Sequence, residues 1–172
     1  VVNLDINDPH LEAQIEATLS DEHISDNKLN NIKLQAAITK IIPSALHLTD
    51  KWGDAAISGH LEADMTAHNL NDAQGNIRLS NFHMTAAGEH PAYRLDNLNI
   101  TTGKDNGIHY LTVKSDFADA ELKGQFDYST LTASLTNLVK SKLPTLPGLP
   151  TTSKKTNNNF ILRLMVSKSD WL

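Results

Sequence analysis

Apolar and polar residues alternate along most of this chain. From Ile57 to His68, Ile57, Gly59, Leu61, Ala63, Met65 and Ala67 interleave with Ser58, His60, Glu62, Asp64, Thr66 and His68. Successive side chains of a strand point to opposite faces, so this spacing predicts a strand with one dry and one wet face. The same alternation puts Leu11, Ala13, Ile15, Ala17 and Leu19 on one face, and Ile32, Leu34, Ala36 and Ile38 on another. It returns with Ala118, Ala120, Leu122, Gly124, Phe126 and Tyr128. Less regular runs lie at 75–85, 93–102 and 108–117, and the phase slips between Leu79 and Phe82, which predicts a bulge. Short turn signals, such as Asp105-Asn106-Gly107, separate the runs and predict sequential antiparallel strands.

Two segments break the alternation. Ile41, Ile42, Leu46 and Leu48 around Pro43 predict a short helical turn over 41–52. Leu131, Leu135, Leu138 and Val139 fall at helical spacing after Ser129, the expected N-cap, and Lys140 and Lys142 suit a helix C-terminus. The expected layout is therefore strands over 1–40, the helical turn, a five-strand meander over 55–128, a helix over 129–143, a loop over 144–159 and a strand re-entering over 160–172. Val1 already reads as strand, so we expect 1–172 to be one fragment of a longer, repetitive β-groove protein.

The dry faces set the fold class. One helix of about fifteen residues is roughly 22 Å long and cannot cover some eight long strands. Those faces are also rich in small residues (Ala13, Ala17, Gly59, Ala63, Ala67, Ala118, Ala120, Gly124). The expectation is a mostly β fold: a long, curved antiparallel sheet forming a trough with an apolar interior, plus the short helical turn and one amphipathic helix. Its lining is expected from Leu11, Ile15, Leu19, Ile32, Leu34, Ile57, Leu61, Met65, Ile77, Leu79, Leu122 and Phe126. Leu131, Leu135 and Leu138 would face it from the helix as a lid.

Composition narrows the function. Against 15 Lys and Arg stand 20 Asp and Glu, a net charge of −5, so no basic surplus exists to bind nucleic acid. There is no Cys, which removes disulfides and thiolate chemistry. No apolar run approaches the roughly 20 residues of a membrane-spanning helix, so any anchor is expected outside the fragment. Nucleophile, phosphate-loop and zinc-protease motifs are absent, and we expect no enzyme, no catalytic residue and no cofactor. His60, Glu62, Asp64 and His68 share a wet face, but nothing at fixed spacing completes a metal site, and a solvated polar face explains them.

The stretch Ser115-Asp116-Phe117-Ala118-Asp119-Ala120-Glu121-Leu122-Lys123-Gly124-Gln125-Phe126-Asp127-Tyr128-Ser129-Thr130-Leu131 resembles the C-terminal region of TamB-type proteins, the translocation and assembly module of the AsmA-like superfamily. Lys154-Lys155-Thr156-Asn157-Asn158-Asn159-Phe160 is similar to that family's loop-to-strand re-entry. Ala45-Leu46-His47-Leu48-Thr49 with Lys51-Trp52 is similar to its strand-breaking turn. The resemblance implies a β-taco trough in the periplasmic part of an inner-membrane-anchored bacterial envelope protein. There it would carry phospholipid acyl chains towards the outer membrane and support outer-membrane biogenesis and protein secretion with a β-barrel partner. The alternative function is an assembly scaffold that captures barrel or autotransporter strands by strand addition, without lipid transport.

Overall fold

The computed structural model describes residues 1–24, 27–142, 144–145 and 155–167. Ser25, Asp26, Leu143, positions 146–154 and positions 168–172 lie outside the described residues, and with them parts of the loop and last strand expected there, including Lys154. The described chain is mostly β: an open, curved antiparallel sheet of nine strands in the order of the sequence, with one helix. The strands are β1 (Val2–Asp8), β2 (Leu11–Ile24), β3 (Asn27–Ile41), β4 (Ile57–Ala67), β5 (Gln74–Met84), β6 (Tyr93–Asp105), β7 (Ile108–Ser115), β8 (Ala118–Gln125) and β9 (Asn159–Val166). The helix, α1 (Tyr128–Lys142), lies between β8 and β9. A single 3-10 turn, Leu70–Asp72, joins β4 to β5.

Each strand pairs only with its neighbours in sequence: most connections are too short for a crossover, and the two long ones, over 42–56 and 126–158, also return antiparallel. The register turns local alternation into a continuous surface. One row crosses all nine strands: Val2, Ala17, Leu34, Ala63, Ile77, Ile100, Val113, Ala120 and Leu164. No member of that row is polar. The neighbouring row on the opposite face reads Asn3, Glu16, Gln35, Glu62, Arg78, Asn99, Lys114 and Asp119 before Met165. A one-residue slip in any strand would put its charges into the dry row, so the register is strongly specified.

The bulge expected between Leu79 and Phe82 is present: His60 pairs with Ser80 but Ser58 with His83, and Asn81 takes a φ of 51°. Asn tolerates this left-handed region better than most residues. The helical turn expected over 41–52 is a single turn that closes at once. Leu46 N–H donates to Ile42 O, then Leu48 N–H returns to Pro43 O while His47 adopts a φ of 56°. That left-handed residue stops the helix before it can lengthen.

The tightest packing is at one end of the sheet. Leu122, Phe126 and Leu131 form a buried cluster, with Leu111, Tyr128, Leu135, Phe160 and Leu162 packed around it. α1 thus seals the part of the dry face of β7–β9 around Leu111, Leu122, Phe160 and Leu162, while Leu164 and Val166 farther along β9 stay exposed. Among the described residues no helix or second sheet covers the dry face of β1–β5; only the 42–56 connector lies against the Phe82–Met84 end of β5.

Candidate functional site

The bare apolar face is the feature most in need of explanation. Ile15, Ala36, Leu61, Leu79 and Leu98 form one of its rows, and Leu19, Ile32 and Met65 another. Ala13 and Ala36 are buried under their larger neighbours. Leu4 is 48 % exposed, Ile32 44 % and Leu19 70 %. Scattered exposed leucines are ordinary on a protein surface, but a contiguous apolar sheet face of this extent marks an interaction surface.

Glycine sets how closely the strands approach. Gly75 lies between Met65 and Thr102 in register, with a φ of 141°. A Cβ there would fall 2.0 Å from the Asp64 carbonyl oxygen. Gly124 is similarly pinched, 2.2 Å from Asn159 O. Only a residue without a side chain fits either place.

The structure divides the expected lining in two. Leu11, Ile15, Leu34, Ile57, Leu61, Met65, Ile77 and Leu79 are half-buried on the dry face, and Leu19 and Ile32 are exposed there. Leu122 and Phe126 are 3 % and 5 % exposed beneath α1, so they belong to a closed core and are not open to a guest. Among the expected lid residues, Leu131 and Leu135 pack on that core, and Leu138 is half-buried.

Polar contacts pin α1 over the closed end. Its N-cap is Asp127, two residues before Ser129. The Asp127 carboxylate accepts both the Ser129 hydroxyl (2.6 Å) and the Ser129 N–H (2.7 Å). These bonds, the hydroxyl first and then the N–H, hold the Asp127 carboxyl below the usual carboxylate range. Asn71 accepts the Tyr128 N–H at 2.9 Å, tying the helix start to the 3-10 turn. From the β9 side, Asn158 Nδ2 donates to Ser134 Oγ at 2.7 Å, and Ser134 Oγ donates to Thr156 Oγ1 at 2.7 Å. His109 is buried in the same place, its Nδ1 2.6 Å from Phe126 O, and its Nε2 has no hydrogen-bond partner among the described residues. The Tyr128 hydroxyl meets the Thr102 hydroxyl.

The wet face offers no comparable chemistry. Lys33 Nζ lies 3.1 Å from Asp64 and Arg163 Nη1 3.5 Å from Glu121, both pairs solvent-exposed and worth little. His60, Glu62 and Asp64 point outward in separate rows, and His68 bonds Asp72 instead. Among the described residues no group of three or more His, Asp or Glu is placed to hold a metal ion. No helix there is long and apolar enough to cross a membrane.

Sequence reasoning missed one cavity. Trp52, Phe82, Met84, Tyr93, Leu95 and Phe117 gather around a cleft of about 650 Å³. They come from four separate segments, and only the slipped phase beside Phe82 signalled it in advance.

No family model, curated protein or solved structure matches the chain. The likeness to TamB-type proteins therefore rests on the residues quoted above.

Proposed function

We propose that this chain is a lipid-binding groove segment of a conduit between two membranes, with acyl chains seated on the bare dry face of β1–β5. The observation that carries the reading is the unbroken apolar row from Val2 to Leu164, most of it without a covering layer. Burying one CH₂ is worth about 0.8 kcal/mol, so carrying a long acyl chain bare through water costs on the order of 12 kcal/mol. A continuous apolar face removes that cost along its whole length and leaves the headgroup in water. No reacting side chain is required. In this reading the protein works in the periplasm, anchored through a part of the chain outside this sequence, alongside an outer-membrane β-barrel partner.

A second reading has its own support. β9 is paired on one side only, and it exposes Ile161, Leu164, Met165 and Val166 on both faces. An edge of this kind is a template for strand addition, as an assembly scaffold for barrel proteins would require.

Photo-crosslinkers at Ile32 and Leu61, with Lys33 and Glu62 as wet-face controls, separate the two. Phospholipid adducts at the first pair alone, with lipid copurifying in native mass spectrometry, are the result expected of a groove. Adducts at all four positions, or at none, would defeat it, and peptide adducts confined to β9 would favour the scaffold.

A further inference from the structure

Around the bulge at Asn81, β5 and β6 change phase together, so that Phe82 pairs with Leu95 and Met84 with Tyr93. The connector from β3 to β4 folds against the same place. Ala56 N–H donates to Thr85 Oγ1 and Thr85 N–H to Ala56 O, each at 2.9 Å. This staple brings Trp52 over Phe82 and Met84, and Phe117 closes the cleft from the β7–β8 turn. The chain has only four Phe, three Tyr and two Trp, and two Phe, one Tyr and one Trp line this cleft. Met84 at its floor is 5 % exposed, whereas Trp52 and Phe117 are 40 % and 45 % exposed. The volume of about 650 Å³ falls in the roughly 300–1,000 Å³ range of small-molecule sites.

The charges around it run against the rest of the molecule. The chain carries a net −5, yet two cations, Lys51 and Arg94, line the cleft and no carboxylate does. Arg94 is ion-paired with Asp96, which lies just outside the cleft, accepts from Nε at 2.7 Å and orients the guanidinium. Its terminal guanidinium nitrogens have no partner among the described residues, and they form the planar fork that suits a carboxylate or phosphate.

We infer that this cleft is a binding site for an amphiphile with an acyl tail and an anionic head. The tail lies among Trp52, Phe82, Met84 and Phe117, and the head meets Lys51 and Arg94. The inference rests on the reading of the bare face as a seat for acyl chains, to which the cleft adds a charge-selective headgroup station. Tail burial alone would accept any lipid, whereas the cationic rim prefers an acidic one.

The test uses palmitate and its neutral counterpart, hexadecanol, on the full chain carrying Trp171→Phe, so that Trp52 alone reports. Palmitate should shift Trp52 emission saturably and bind about tenfold or more tightly than hexadecanol. Lys51→Gln with Arg94→Gln should erase that preference and leave hexadecanol binding unchanged. Equal affinity for the two ligands, or a preference that survives the double substitution, overturns the proposal. Crosslinking at Ile32 on the same preparation keeps the two readings apart. Lipid adducts there without palmitate preference refute the headgroup station and leave the groove. Palmitate preference without adducts refutes the groove and leaves the cleft as an isolated site.

Discussion

The two ends of the sheet carry the same alternation and meet different fates. In β8, Ala120 and Leu122 face the dry side just as Ala36 and Leu34 do in β3. Leu122 is 3 % exposed because α1 lies on it, and Ile32 is 44 % exposed because no described element does. Alternation therefore decides which face is dry, and only the segment that follows decides whether it is sealed. Closure at β7–β9 stabilises the fold; the absence of closure at β1–β5 is the functional candidate.

The largest effect should come from breaking the closed end. Leu122→Ala removes a side chain wedged between α1 and β9 and should cost about 2–5 kcal/mol in urea unfolding. A loss below about 1 kcal/mol would mean that α1 does not seal the core. Next comes Gly75→Ala, whose Cβ would collide with Asp64 O. The strained backbone alone should cost about 1–3 kcal/mol, read as a lowered melting temperature with the closed end still packed.

Asp127→Ala tests how α1 is held. Wild-type Asp127 has a depressed carboxyl pKa in the fold, so its contribution is full above the ordinary carboxylate value and is lost as pH falls through the depressed one. Amide exchange in the first turn of α1 should quicken in the variant at neutral pH, and the two proteins should converge in acid. A difference that persists in acid would assign the effect to something other than the carboxylate. The smallest effect on stability belongs to the bare end. Ile32→Ser should change unfolding by no more than about 0.5 kcal/mol while reducing lipid adducts at Leu61. A large loss of stability there would show that the face is covered in solution.

Much of the architecture was legible because it is written in local period. β2, β3, β4 and β8 follow from alternation alone, and Asn81 betrayed its bulge by a slipped phase. The helix was read within one residue, but its cap was not. Asp127 counted as the wet-face residue of a strand, and only the fold shows its carboxylate turned onto Ser129. The sequence also could not separate Leu122 and Phe126 from the open lining, since burial under α1 is a tertiary fact. The cleft was least legible of all. Trp52, Leu95 and Phe117 carry no signal singly, and long-range contacts bring them beside Phe82.

The consecutive strand order has one further consequence. With neighbours about 4.8 Å apart, nine strands measure about 38 Å from flank to flank. No crossover ties one flank to the other, so each hairpin gained or lost changes the span by about 10 Å without repacking the remainder. The molecule behaves as a ruler graduated in strands, and its reach can be tuned by counting hairpins.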